Sequence, residues 1–488
     1  MAAVSAPAGR PAIAEPNRWA VLALLSVAQL MVVLDATIVT IALPSAQKAL
    51  GFSTESRQWI VTAYALAFGS LLLLGGKLGD LFGRKWTLIA GLIGFSIASA
   101  IGGLAQSFTM LVIARTLQGV FGALLAPSAL SLLTVTFAGS PDRPTAFGIF
   151  GAIAGGGASL GLILGGALTQ ILSWRWCLYV NLVIAVPTTI VALRLLVNHA
   201  APEREPIDIP GAVTSALGLF ALSYALIEAN TYGWTSARIL IAFAVAAVSL
   251  AAFVLLEQHQ RLPMLDLSLF RNKGFAGANS VMLLIGLAMF GVFFYISLYV
   301  QQVLHYSPVQ AGASFLPWTL LIILLAPQAG RLSDRFGPRP FVAGGMAVLT
   351  GSLILFARMG VHESFWGLLP GMILGGIGMS AAMAPTTAAA MSSVRPDKAG
   401  VGSAVLNSMR QVGGSLGIAI TGAIVAAGIS SSLKAGHPRP VAFVTGLHHG
   451  LNVAAAITIA GAVIAFATLR HARHSTEVAV PESDTVAA

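Results

Sequence analysis

Apolar residues in this chain fall in long blocks separated by short polar stretches. Val21 to Leu34, Leu104 to Leu133, Ile239 to Leu256 and Val281 to Val300 are four of them. A helix needs roughly 20 mainly apolar residues to cross the hydrocarbon core of a bilayer. Buried strands would instead read as runs of about four to eight bounded by turn residues. The pattern predicts an all-α, polytopic membrane protein with fourteen transmembrane helices. The expected spans are 19–43, 57–76, 87–105, 110–136, 145–169, 177–197, 209–229, 237–256, 276–300, 309–330, 341–359, 364–389, 401–427 and 450–469. The first block is long enough to stay in the membrane, and no cleavage site follows a short apolar core. It therefore reads as a helix and not as a removed signal peptide. Segments 1–18 and 471–488 read as polar tails.

Composition agrees with this. The 488 residues are 57% hydrophobic and 9% charged, against about 25% charged in soluble domains. Too few charges remain to cover a globular surface. A net charge of +10 and a pI near 10.2 would suit a nucleic-acid binder, but the placement of the basic residues gives another account. An even number of spans puts both termini on one side. Of the 27 Lys and Arg residues, 18 fall on that side, 7 fall on the other, and Arg115 and Arg410 lie within spans. Basic excess marks the cytoplasmic face. Both termini are expected in the cytoplasm, with the chain in a bacterial inner membrane and no nucleic-acid partner. Cys177 is the single cysteine, which excludes an intrachain disulfide and a cysteine-based zinc site. A nucleotide-binding loop, a metal-ligand cluster and a nucleophile elbow are not evident in the sequence. No catalytic residue, metal or cofactor is expected, and the chain reads as non-enzymatic.

The sequence also repeats itself. Gly76-Lys-Leu-Gly-Asp80-Leu-Phe-Gly83-Arg84-Lys85 follows span two, and Gly330-Arg-Leu-Ser-Asp334-Arg335-Phe-Gly337-Pro-Arg339 follows span ten, 254 residues later. Ala126-Pro127 recurs as Ala384-Pro385, and the Ser-Leu-Gly ending at Gly161 recurs at Gly417. Three echoes in one order at nearly one offset imply a duplication. The offset spans eight helices, so six helices, two inserted helices and six more are expected. That division gives an N-terminal tail at 1–18, a six-helix half at 19–198, an insert at 199–260, a second half at 261–470 and a C-terminal tail at 471–488. Duplicated halves with a site between them are a common transporter plan.

Several polar residues stand out against this background. Asp35 lies well inside span one, where a carboxylate is unfavourable by about 2.5–3.5 kcal/mol. It is either a proton-binding group or a structural carboxylate held by neighbouring helices; intramembrane ionisable groups favour the first. Arg115, early in span four, either faces the bundle interior or snorkels to the headgroups. Gln118 and Gly119 follow it by one turn. In the Gly76–Lys85 loop, Asp80 is placed to cap a helix N-terminus or to pair with a loop arginine, as a latch that breaks in another conformation. Span five carries small residues at four-residue spacing, including Gly155, Gly161 and Gly165, which favours close helix packing. Gln29, Tyr64, Tyr295, Tyr299, Gln301, Gln302, Asn407 and Gln411 are candidates either for lining a cavity or for interhelical hydrogen bonds. Arg410 needs an interior partner, and Glu228 reads as a solvated residue at the outer end of span seven.

These motifs resemble the major facilitator superfamily. The Gly76–Lys85 loop is similar to its signature loop between helices two and three. Asp35 with Thr37 and Ala42-Leu-Pro44, and Arg115-Thr-Leu-Gln118-Gly119, resemble motifs of drug:proton antiporters. Trp174-Arg-Trp176 leading to Asn181, and Asn407-Ser-Met-Arg410-Gln411-Val-Gly413-Gly414, resemble the fourteen-span branch, the drug:proton antiporter-2 family. One departure is Leu162, which stands where the helix-five motif usually has proline. The resemblance implies alternating access, with Asp35 binding protons in competition with a cationic or amphipathic small molecule. It implies that Arg115 tunes that proton site and that the Asp80 and Asp334–Arg335 loops gate the cytoplasmic side. An exporter of drugs, a dedicated exporter of one endogenous metabolite or antibiotic, and a non-transporting receptor or scaffold are the competing functions. A scaffold gives no reason for Asp35.

Overall fold

The computed structural model describes residues 17–52, 54–198, 208–260, 263, 265–395 and 398–469. The two tails lie outside the described residues. The helices are α1 (Arg18–Leu50), α2 (Thr54–Phe82), α3 (Arg84–Gly103), α4 (Phe108–Thr136), α5 (Arg143–Ile171), α6 (Trp176–Leu195), α7 (Ile209–Tyr232), α8 (Ala237–His259), α9 (Lys273–Gln302), α10 (Pro308–Ser314), α11 (Leu316–Phe336), α12 (Pro338–Phe356), α13 (Phe365–Ser392), α14 (Ala399–Lys434) and α15 (Arg439–Thr468). Among the described residues every regular element is helical. Thirteen segments are long and apolar enough to cross a bilayer, with α10 and α11 together forming the tenth span. The 29-residue α5 completes the fourteen expected helices.

Two spans differ in detail from the expectation. The tenth starts in the separate helix α10, capped by a box between Ser307 and Gln310, and is broken at Phe315, after which Pro317 opens α11. The last span begins at Arg439 and not near residue 450. Gly446, ahead of the expected start, packs backbone to backbone on Gly428 of α14, and the His448 ring bonds the Met359 carbonyl at 2.8 Å.

The helices pack twice in one pattern. In the first set α1 packs on α5 and α6, α4 on α2 and α3, and α3 on α6. In the second, α9 packs on α14 and α15, α13 on α11 and α12, and α12 on α15. Glycines make these contacts close enough for backbone to meet backbone. A Cβ on Gly161 would lie 3.1 Å from the Leu34 carbonyl and collide with Thr37, and one on Gly417 would collide with the Leu287 carbonyl. The echo read in the sequence is thus one packing contact made twice. Between the sets, α2 meets α14 and α5 meets α11. Helices α7 and α8 stand outside this arrangement, with α7 packed on α2 and α14. Leu240, Ile241, Val248 and Leu255 of α8 are exposed, as suits a helix facing lipid.

One reading is corrected by this insert. Glu228 is fully buried and not solvated. Ala225, Ala229 and Ile239 form a tight cluster of small and apolar contacts that brings α8 against α7. That closes the end of α7 over the carboxylate. Arg238 stands nearby, stacked on the Tyr232 ring at 4.3 Å.

Candidate functional site: a buried ion pair beside a central cavity

Asp35 and Arg115 meet inside the first helix set, both with no exposed surface. The Arg115 Nη1 donates to Asp35 Oδ2 at 2.5 Å and to Gln118 Oε1 at 2.7 Å. Its Nε donates to the Ile60 carbonyl at 3.2 Å. The other carboxylate oxygen of Asp35 accepts from Gln118 Nε2 at 2.9 Å and Asn181 Nδ2 at 2.7 Å. Gln118 also donates to Ser99 Oγ at 2.7 Å. The Arg115 guanidinium lies 4.4 Å from the centre of the Tyr64 ring. Side chains from α1, α2, α3, α4 and α6 therefore converge on one carboxylate.

This geometry settles where Arg115 points: inward, not to the headgroups. A buried charge is tolerated only when paired and hydrogen-bonded. Three donors reach Asp35, so its buried carboxylate is fully hydrogen-bonded. The network nonetheless has spare capacity. The Arg115 Nη2, the Tyr64 hydroxyl and the Asn181 Oδ1 are buried and have no partner. Asn181 and Ser99 were not singled out as partners by sequence reasoning. Each is a small polar residue in an apolar helix, and nothing in the linear order links them to a carboxylate more than 60 residues away.

A small cavity lies between the two helix sets. Gln29, Phe150, Met282, Met383, Asn407 and Arg410 are among its lining residues. Gln29 precedes Asp35 by six residues, about 9 Å along α1. Tyr64 is close enough to Arg115 and to Arg410 to feel both charges. The other cavity candidates sit elsewhere. The Tyr299 hydroxyl bonds the Gly360 carbonyl at 2.6 Å, tying α9 to the loop before α13. Tyr295 packs edge-on against Phe294. Gln301 bonds back to Ser297 on its own helix.

The face where α2 ends and α14 begins is closed by contacts between the sets. Asp80 Oδ1 accepts from the Gly400 amide and Asp80 Oδ2 from the Val401 amide, each at 3.0 Å, so it caps the start of α14. It also pairs with Arg84 at 2.9 Å. The two alternatives read from the loop are both realised in its geometry. Gly83 sits at φ +95 beside Asn198, where a side chain would collide. Lys85 donates to the Leu193 carbonyl at 2.9 Å. Gly76 lies against Gly400 and Ala404, with space for no Cβ.

The second loop keeps the glycine contact and not the cap. A Cβ on Gly330 would collide with the Pro144 carbonyl. By the repeat, Pro144 stands 256 residues before Gly400. Proline has no N–H, so the start of α5 offers Asp334 no equivalent donor pair. Asp334 and Arg335 are exposed, and Arg331 Nε instead bonds Thr145 Oγ1 at 2.6 Å. In α5, Gly161 and Gly165 contact α1 at Thr37 and Ile38. Gly119 of α4 lies against the Tyr64 carbonyl of α2. The surroundings of Gly155 and Leu162 lie outside the described residues.

Comparison with known proteins gives the same kind of molecule. The chain is 40% identical over 451 residues to the puromycin resistance protein pur8 of Streptomyces alboniger, covering 91% of this chain and 89% of that protein. It is 36% identical over 416 residues to the tetracenomycin C resistance and export protein of Streptomyces glaucescens, covering 84% and 76%. The crystal structure of the human organic anion transporter MFSD10 (TETRAN) shares the fold, with a TM-score of 0.64 at 15% identity over 92% of this chain and all of that one. The Major Facilitator Superfamily profile matches residues 25–418. On its sequence, its fourteen helices and its twice-made packing, this chain belongs to the Major Facilitator Superfamily and is a transporter, not an enzyme.

Proposed function

We propose that the protein exports drug-like amphipathic molecules in exchange for protons by alternating access. The observation that carries this reading is the Asp35–Arg115 pair, sealed from solvent and adjacent to the cavity. Arg115 keeps one unsatisfied nitrogen beside the pair, so a second arrangement lies close by, in which Asp35 is protonated and Arg115 turns to other acceptors. Protonation removes the ion pair, and the free guanidinium then shifts against Tyr64, which also senses Arg410. The proton site and the cavity are thus coupled through one ring.

In this reading the helix sets at 19–198 and 261–470 are the two moving halves, and 199–260 is an insert outside both. The termini lie in the cytoplasm of a bacterium, so the Asp80 cap on α14 closes the cytoplasmic side. The motifs support the drug:proton antiporter-2 branch. A second reading, a dedicated exporter of one antibiotic or endogenous metabolite, is favoured by two relatives named for puromycin resistance and for tetracenomycin C resistance and export. Inverted vesicles separate proton coupling from its alternatives. With wild type, added substrate releases lumenal protons; with Asp35→Asn it does not. Transport without proton movement, or full proton release in the variant, overturns the coupling.

A further inference from the structure

The cavity carries a charge that no carboxylate among the described lining residues balances. Arg410 reaches it from α14. Among the described residues, the hydrogen bond of its guanidinium is one to Asn407 Oδ1, at the long limit of 3.5 Å. Four of its five N–H donors remain for something else. Asn407 spends one amide hydrogen on the Ser403 carbonyl at 3.0 Å, and Thr387 donates to the Met383 carbonyl. Gln29, 4% exposed, brings a further amide to the wall. None of the lining residues is acidic. The remainder of the wall is apolar and adaptable, with Met282, Met383 and Phe150 facing the same space.

A half-buried arginine without an acidic partner among the described residues sets a sign. A cationic group entering this cavity meets a like charge with no acid to offset it. An anionic or strongly accepting group meets a planar fork of donors. The contrast with Arg115 is direct, since that arginine is occupied by Asp35 and Gln118. We infer that the cavity takes its cargo by an anionic or strongly hydrogen-bond-accepting group, such as a carboxylate or phenolate, docked on Arg410 while the apolar body lies against Phe150 and the methionines. This rests on the exporter reading, and it replaces the cationic cargo that the family resemblance suggested. Gln29 supplies the second polar contact, and its place on α1 puts that contact on the helix that holds Asp35.

The test uses two xanthene dyes of similar size and opposite charge, fluorescein and rhodamine 123. Their binding to the purified full-length protein is followed by fluorescence polarisation at neutral pH. Fluorescein is expected to bind saturably and at least about tenfold more tightly than rhodamine 123, the factor expected of one charge-assisted hydrogen bond. Arg410→Gln should abolish that preference without weakening rhodamine 123. Arg410→Lys, which keeps the charge and loses the fork, should fall between. The lysine variant also guards against a folding defect in the glutamine one. Absence of saturable fluorescein binding, equal or better binding of rhodamine 123, or a preference that survives both variants overturns the inference. Dye movement driven by a pH gradient in proteoliposomes is scored separately. Arg410-dependent fluorescein binding without gradient-driven movement leaves the cavity assignment standing and removes the exporter reading. Gradient-driven movement of rhodamine 123 that ignores Arg410 does the reverse.

Discussion

Neutralising Asp80 should open the face that it closes. The carboxylate accepts two backbone N–H groups at the start of α14, each at 3.0 Å. Hydrogen bonds to a charged group contribute about 1.5–3 kcal/mol each. The Arg84 pair lies within α2 and the turn after it, so it persists whether the sets are together or apart and cancels from the difference. Asp80→Asn keeps one acceptor oxygen and loses the other along with the charge. About 2 kcal/mol of closed-state preference is then lost, which shifts the closed-to-open ratio about 30-fold. An open population of about one per cent would rise to about a quarter. Spin labels at the exposed positions Phe82 and Leu332 report the separation across this face, in a Cys177→Ala background that removes the single, buried thiol. Double electron–electron resonance should show a longer distance gaining weight in Asp80→Asn. Gly400→Ala should act in the same direction, since a Cβ there would stand 2.6 Å from Asp80 Oδ1. An unchanged distance distribution in both variants refutes the argument, because the cap would then contribute equally to both states.

Three further outcomes follow from the same geometry. Arg115→Gln leaves Asp35 buried without its counter-charge and should destabilise the protein by about 3–5 kcal/mol; adding Asp35→Asn should recover part of this in thermal unfolding, and a double variant no better than the single one would remove the ion pair from the account. Gly119→Ala places a Cβ 2.5 Å from the Tyr64 carbonyl and 2.8 Å from Ala67, an overpacking of about 1–3 kcal/mol that should lower the unfolding midpoint, whereas Gly139→Ala, with open space around it, is strained only by its backbone. The Asp266–Lys398 pair, 2.8 Å apart in the loops, holds the Asp266 carboxyl down at about 2, chiefly through the Lys398 hydrogen bond. Its stabilisation is therefore complete above about pH 4 and is lost as pH falls through 2; both side chains are partly exposed, so Asp266→Asn should alter stability by less than about 1 kcal/mol at neutral pH, and a larger loss would show that the pair does more than join two loops.

Much of the fold could be read from the sequence because the bilayer imposes one length on every span. The broken tenth span could not, since its break at Phe315, with Pro317 opening α11, lies inside an otherwise apolar stretch. The site was readable in its charged members and not in their pairing. Asp35 and Arg115 announce themselves by their cost in lipid, and each demands a partner. Which partner each takes depends on the crossing of five helices, and Asn181 and Ser99 enter only through that crossing. Glu228 was misplaced for a related reason. Its position near a helix end suggested water, and only the close approach of α8, made through alanines, shows that the end is covered.

The substitution of an imino acid at Pro144 for the glycine found at position 400 has a consequence for how conditions act on this molecule. Two clefts on one face, related by duplication, are fastened by unlike chemistry: a carboxylate on peptide hydrogens in one, an arginine on a threonine hydroxyl in the other. Discharging Asp80 removes the acceptor of both peptide hydrogen bonds in the first. In the second the acceptor is an uncharged hydroxyl, and Asp334 acts on Arg143 across the cleft only through its charge. Acidity therefore breaks hydrogen bonds at one fastening and removes only an electrostatic attraction at the other, and the duplicated loops, alike in letters, cannot stand in for each other.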